Sequence, residues 1–179
     1  LHIASLLVLY GGFRRAELLS VTIDQVASGG ITISEGKTAS ALRTVPIHYV
    51  VAPLVQRLLE TSRDQFLVPT RRTSARYQDA FTKRFTRIRR ELGASSSKIN
   101  LHALRHNFVN ACENGAIPEH LAKVMTGHQR DSLTYGHYSP ASAVNWDLLV
   151  NAMTSVSHGL DVDTRATESV AFLLEQARG

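Results

Sequence analysis

His102 and Arg105 stand three residues apart in Asn100-Leu-His-Ala-Leu-Arg-His106, at the start of a helical pattern. That spacing puts both side chains on one helix face, about 5–6 Å apart at Cβ. An imidazole beside a guanidinium makes a poor metal site, because the cation repels the ion. It makes a good grip on a phosphate: arginine offers a planar fork of donors, and histidine can give or take a proton. A second arginine, Arg14, follows Gly11-Gly12 at another helix start, where the helix dipole already favours an anion. Glu17, three residues on, is placed to orient it, although an isolated Gly-x-Arg-x-x-Glu-Leu reads equally well as an exposed ion pair. Lys37 lies near the tip of the loop 35–42, on an arm that can deliver a cation to a bound ligand; alone, such a lysine is usually just solvated. His128 comes directly after Gly127, and Tyr135 and Tyr138 follow it at seven and ten residues.

These groups have to be positioned by the elements between them. Residues 2–10 are apolar nearly all round and end at the glycine pair, so they read as a buried helix. Phe13–Leu19 reads as a short amphipathic helix with Ala16, Leu18 and Leu19 on its apolar side. Ile23–Val26, Ile31–Ser34 and Arg43–Ile47 read as three short antiparallel strands, the first two joined at Gly29-Gly30. Residues 50–62 follow as a helix around Val51, Leu54, Val55, Leu58 and Leu59. The helix 74–92 carries the stripe Tyr77, Phe81, Phe85, Ile88 and Leu92. Opposite that stripe recur Arg76, Lys83, Arg87 and Arg90, preceded by Arg71 and Arg72. This most basic stretch is either a solvated face or a surface against DNA phosphates.

Asn100 caps the central helix, whose core side is Leu101, Leu104, Phe108, Val109 and Cys112, and Asn114-Gly115 predicts a left-handed stop. Pro118 opens the helix Glu119–Thr126, closed by Gly127, and Asp131 or Ser132 caps a short turn to Tyr138. Two amphipathic stretches, 141–154 and 165–177, end the chain. His106 reads as a hydrogen-bonded core residue, His137 has no evident role, and Met125 and Trp146 read as core or interface. His102 and His106 have the i, i+4 spacing of zinc ligands, but the motif has no glutamate where a metalloprotease needs its base.

At 179 residues the chain is one ordinary domain, or a domain with a tail. Its net charge of +5 and arginine-rich basicity raise the prior for nucleic acid. The single cysteine excludes a disulfide framework or a cysteine zinc site and fits a reducing cytosol. The apolar run 3–10 is too short to span a bilayer and lacks the flanks of a signal peptide. The chain begins inside a helix with no start signal, which is the expectation for a piece of a longer protein.

Taken in order, Gly12-Phe-Arg14-x-x-Glu17-Leu18, Lys37-Thr with Arg-Thr-Val-Pro-Ile after it, His102-x-Leu-Arg105-His, Gly127-His128 and a tyrosine ten residues on resemble the tyrosine recombinase (phage integrase) family. The resemblance runs from about residue 4 to residue 140, and its strength lies in the ordered set. It implies a mainly α (α+β) fold: a helical catalytic domain over 1–155 with a small three-stranded antiparallel sheet, then a linker and C-terminal helix over 156–179. The family's tail tends to dock on a neighbouring subunit; folding back on its own domain is the equal alternative. The family normally carries a helical core-binding domain ahead of this one, and nothing here matches it.

The resemblance also implies a chemistry, cleavage of one DNA strand at a time through a 3′-phosphotyrosine, with no metal and no cofactor. Breaking a phosphodiester requires neutralised non-bridging oxygens, an in-line nucleophile and a protonated leaving oxygen. Arg14 and Arg105 match the two family arginines and would clamp the oxygens. His102 and His128 would add hydrogen bonds and help move the proton of the nucleophile. Lys37 matches the hairpin lysine that implies a general acid, and Glu17 would support Arg14. Tyr138 has the spacing of the nucleophile; Tyr135 comes too early. With arginines in the place of a cation, metal-free chemistry agrees with the absence of an acidic or His/Cys ligand set.

The expected partners are double-stranded DNA, sister subunits in a tetramer on DNA (a monomer when free) and accessory DNA-bending proteins, with no membrane. The expected setting is the bacterial cytosol or nucleoid, with the gene on a phage or integrative element. The rivals are a type IB topoisomerase, which shares the chemistry but reseals the same strand, and a DNA-binding regulator that has lost catalysis.

Overall fold

The structure is a computed structural model that describes residues 2–36, 39–62, 65–68, 75–128 and 144–159. Among these residues seven α-helices surround a three-stranded antiparallel sheet. Helix α1 (His2–Gly11) buries Ala4, Leu7, Val8 and Tyr10 and packs along α5 (Leu101–Asn114), whose inward side presents Phe108, Ala111 and Cys112. Burial pushes the Cys112 thiol up to about 12, so it packs as a small apolar group. Gly12 breaks α1 in the left-handed conformation (φ +64°). A Cβ there would stand 2.5 Å from the Phe108 ring, so only glycine lets the chain turn this close to α5. Helix α2 (Arg15–Ser20) follows at once and buries Leu18 and Leu19.

The sheet is shorter than the alternation predicts. Ile23–Gln25 forms a 3-10 turn rather than a strand, because Thr22 and Gln25 close on each other: the Thr22 N–H donates to Gln25 Oε1 at 2.8 Å. Strands β1 (Val26–Ala27), β2 (Gly30–Ile33) and β3 (Arg43–Pro46) run in the order β1-β2-β3, with Val26 opposite Ile31 and Ile31 opposite Val45. Ser28 and Gly29, both at positive φ, make the tight turn between β1 and β2. Helix α3 (Ala52–Thr61) faces the core with Val55 and Leu58, and α4 (Ala75–Glu91) does so with Phe81.

Three local expectations are corrected. Ala16 is exposed, and its neighbour Glu17 is buried instead. Leu92 is 79% exposed, since α4 ends at Glu91 and Arg89 turns inward to donate to the carbonyls of Ala94 (2.8 Å) and Ser96. Gly115 has an ordinary φ of −79°, and the left-handed residue after α5 is Ala116 at +52°. Asn100 does cap α5, its Oδ1 accepting the Ala103 N–H at 2.9 Å.

Helix α6 (Glu119–Thr126) packs on β3 and on α7 (Trp146–Thr154), and Met125 is fully buried between them. Past α7 the described residues 155–159 stay on the body. Val156 is buried with its carbonyl 3.0 Å from His48 Nε2, and His158 Nε2 lies 2.9 Å from the Leu9 carbonyl. None of the helices among the described residues is long and apolar enough to cross a membrane.

Candidate active site

The α1–α2 break places Arg14 at the mouth of a cleft. Arg14 is the residue just before α2, and Glu17 in the first turn reaches back to it. Glu17 Oε2 accepts the Arg14 backbone N–H at 2.9 Å and Oε1 accepts its Nη1 at 2.6 Å; Arg14 Nη2 donates to the Gly127 carbonyl at 3.1 Å. The pair is therefore not a free surface ion pair: Arg14 stays partly exposed, but its carboxylate is buried.

Arg105 lies one turn into α5 on its inward side, 4% exposed. It donates to the carbonyls of Gly12 and Thr126 (the latter at 2.6 Å) and to His128 Nε2 at 3.0 Å. Burial first, then the repulsion of Arg14, brings its pKa down to about 10, so it remains a cation at neutral pH. Two carbonyls, one from the α1–α2 break and one from the end of α6, thus fix the guanidinium in place.

His128 follows Gly127, whose left-handed φ of +65° ends α6. A guanidinium has no acceptor, so Arg105 must donate and His128 Nε2 must accept. The ring therefore carries its proton on Nδ1 when neutral. Burial, then the charges of Arg105 and Arg14, lowers its pKa, which favours that neutral form. His102 is exposed on the first turn of α5, with its Nε2 3.0 Å from that of His106 and the rings edge to face. His106 is thus hydrogen-bonded as expected, but on the surface rather than in the core, because position 106 faces away from α1.

Arg14, His102, Arg105 and His128 line one open cleft of about 540 Å³, closed on its far side by Thr82, Phe85 and Thr86 of α4. Arg15 ties the walls together, donating to Thr82 Oγ1 and, at 3.4 Å, to Gln78 Oε1. Thr82 and Thr86 also line a neighbouring groove of about 380 Å³ with Lys83, Arg87, Arg90 and Glu91. The cleft and the basic face of α4 therefore adjoin at Thr82 and Thr86. Two fixed guanidiniums and two imidazoles around an open volume form a receptor for a tetrahedral anion held by several donors at once. No group of three or more His, Cys, Asp or Glu side chains that could hold a metal occurs among the described residues.

Lys37, Arg71, Arg72, Tyr135, His137, Tyr138, the capped turn before it and the helix expected over 165–177 lie outside the described residues, as does the side chain of Arg76.

One residue to which sequence reasoning gave no role lies buried behind the cleft. Arg43, at the start of β3, is fully removed from solvent. Its Nη2 donates to Glu17 Oε2 at 2.9 Å and its Nη1 to Oε1 at 3.3 Å, while Nε and Nη1 reach the carbonyls of Met125 (2.8 Å) and Ala41 (2.7 Å). Burial alone would raise the Glu17 carboxyl. The hydrogen bond and charge of Arg43, and then Arg14, hold it down at about 2. A signal was there to be read: Arg43 alternates with Val45 on the inward side of β3, and an inward arginine needs a buried acid.

The sequence profile of the phage integrase family matches residues 1–143. No curated protein matches the chain in sequence. Among solved structures, the chain is similar to XerA recombinase, with a TM-score of 0.54 and 21% identity over 84% of this chain and 56% of that one. It is also similar to the XerH site-specific recombinase bound to difH substrate in a pre-cleavage complex. There the TM-score is 0.50 and the identity 23%, over 75% of this chain and 40% of that one. The chain thus spans about half the length of these structures, and at such identity the likeness is one of fold.

Proposed function

Because the chain belongs to the phage integrase family, we propose that it is the catalytic domain of a site-specific DNA recombinase that breaks and rejoins strands through a tyrosine–phosphate ester. The observation that carries this reading is the convergence of Arg14, Arg105, His102 and His128 on one cleft that adjoins the basic face of α4. In the proposed reaction the scissile phosphate sits in the cleft. Arg14 and Arg105 neutralise its non-bridging oxygens, which lowers the barrier most where negative charge accumulates in the transition state. His128, neutral with Nδ1–H available, donates a hydrogen bond, and His102 helps take up the proton of the nucleophile.

Tyr138 attacks phosphorus and forms the phosphotyrosine bond, while the phosphorus bond to the 5′ oxygen breaks and Lys37 protonates that oxygen. The reverse sequence, with a 5′ hydroxyl from another strand as nucleophile, completes exchange. The arginines supply the charge that a metal would otherwise provide, so the reaction proceeds without one. Arg71, Arg72, Arg76, Lys83, Arg87 and Arg90 contact flanking DNA phosphates, positioning the duplex without reading its sequence. Recombination takes place in a tetramer on DNA.

The test is a nicked suicide substrate carrying pooled candidate sites, incubated with excess EDTA and resolved on a denaturing gel. A covalent protein–DNA adduct is expected from the natural chain and from Tyr135→Phe, but not from Tyr138→Phe. An adduct lost in Tyr135→Phe alone would overturn the nucleophile, and an adduct lost with EDTA would overturn the metal-free mechanism. The absence of any adduct while DNA is bound would overturn the enzymatic reading.

A further inference from the structure

We infer that Arg43 is a positioning residue of this site: through Glu17 it sets the Arg14 guanidinium, and through the end of α6 it sets the segment that carries His128. The inference rests on the functional reading above and goes beyond it, since Arg43 touches no reacting atom.

The geometry is a closed ring. Arg43 grips both oxygens of Glu17, the same oxygens bind the side chain and backbone N–H of Arg14, and Arg14 donates to the Gly127 carbonyl. The ring returns to Arg43 through the Met125 carbonyl and through Gly127 itself. A Cβ on Gly127 would lie 2.6 Å from Nη1, 2.9 Å from Cζ and 3.2 Å from Nε of Arg43, so the guanidinium is stacked flat on the glycine. Strand β3 thereby fixes both sides of the phosphate cradle. It begins six positions after Lys37 in the sequence.

Stability alone does not account for the arrangement. An ion pair fully removed from solvent recovers little beyond its desolvation cost, and an apolar pair of similar volume does as well or better. What the bidentate contact does supply is a fixed direction for each guanidinium, and misplacing a catalytic group by about 1 Å costs on the order of 100-fold in rate.

The charged groups around Glu17 are Arg14 at the start of α2, Arg43 on β3, Arg105 on α5, and Glu35 after β2 across a small void. Removing Arg43 leaves the carboxyl buried, facing Glu35, with its strongest partner gone. It then takes up a proton in mildly acidic solution and releases Arg14.

The experiment compares the natural chain, Arg43→Met, Arg43→Lys and Arg43→Met with Glu17→Gln. It measures single-turnover cleavage of the suicide substrate from pH 5 to 8, DNA affinity by fluorescence anisotropy, and the Glu17 carboxyl by carbon-13 titration. On this inference Arg43→Met cleaves about 100-fold more slowly, binds DNA within about two-fold of the natural chain, and gains an acid limb beyond the one the site histidines give the natural chain. Glu17→Gln in that background removes the limb, and Arg43→Lys recovers part of the rate. Should Arg43→Met fail to fold, the Lys variant, which keeps the charge but not the fork, carries the same expectations at smaller size. A folded variant that cleaves as the natural chain does, or whose rate falls equally at every pH, would overturn the inference. So would a Glu17 titration that does not move. If the natural chain forms no adduct, the functional reading fails by itself, while the carboxyl titration still decides whether Arg43 controls Glu17.

Discussion

Arg105 Nη2 donates to His128 Nε2 at 3.0 Å, joining α5 to the end of α6 across 23 residues of sequence. The contact dictates a tautomer, because the guanidinium can only donate. Nitrogen-15 spectra should find the His128 proton on Nδ1 and a midpoint below the ordinary value of 6.5. The sign follows from the depressed pKa. Below 6.5 the unfolded chain binds the proton more readily than the folded one, so acidification through this window destabilises the fold. His128→Gln should remove that part of the pH dependence, as read from urea unfolding at pH 7 and pH 5.5.

Glu17 provides a second, larger pH dependence. Its carboxyl is held at about 2 against an ordinary 4.5 and lies almost wholly out of solvent. The folded pKa is depressed, so the stabilisation is complete above about 4.5 and is lost as pH falls toward 2. The shift corresponds to about 3 kcal/mol. Glu17→Gln at pH 7 should cost a similar amount, about 3 kcal/mol, because it strands Arg43 as a buried unpaired cation. Denaturant midpoints for both proteins should converge as pH is lowered from 5 to 3.

Gly127→Ala should be more damaging than an alanine at a helix end usually is. The residue is left-handed at φ +65°, which costs about 1–2 kcal/mol for alanine. The new methyl would also displace the Arg43 guanidinium 2.6 Å away. Thermal unfolding should register the strain, and cleavage should fall by more than the stability loss explains, since the methyl moves the ring that sets Arg14. An activity loss no larger than that of Gly93→Ala, where nothing lies within 4 Å of a Cβ, would contradict this.

The basic face of α4 makes a salt-dependent prediction. Lys83, Arg87 and Arg90 are exposed along the groove that joins the cleft, with Arg87 also 3.6 Å from Glu91. Replacing Lys83 or Arg90 by alanine should weaken binding uniformly across DNA sequences. Each replacement should reduce the slope of log affinity against log salt by about 1. Arg87 should contribute less, its charge being partly answered by Glu91. Affinities measured from 50 to 200 mM salt test this; unchanged slopes would place the duplex elsewhere.

Much of the fold was legible because it follows local rules. The α1 stop at Gly11-Gly12, the Asn100 cap and the Gly127 end of α6 are each specified by one or two residues whose backbone or side chain serves the terminus directly. The motif residues were legible for the same reason. His102 and Arg105 share a helix turn and line the same cleft, and Arg14 pairs with Glu17 within another turn, so these spacings need no tertiary information. Where local rules compete, the reading failed: Thr22 and Gln25 close a 3-10 turn that outweighs the alternation of Ile23–Val26, and Gly115 leaves the left-handed position to Ala116.

By itself, the sequence determined the helices that carry the motif residues and, through ordered motifs from about residue 4 to residue 140, the family, whose profile matches residues 1–143. Only the tertiary structure decided how the groups are held. It put Arg43, Glu17 and Gly127 in one buried ring, turned His106 out to solvent beside His102, and set the cleft beside the α4 groove, with Thr82 and Thr86 lining both. The physical reason is that hydrogen bonds within a turn are set by spacing along the chain. The partner of a buried charge, by contrast, is set by whichever distant element the packing of α1, α5 and α6 brings within 3 Å.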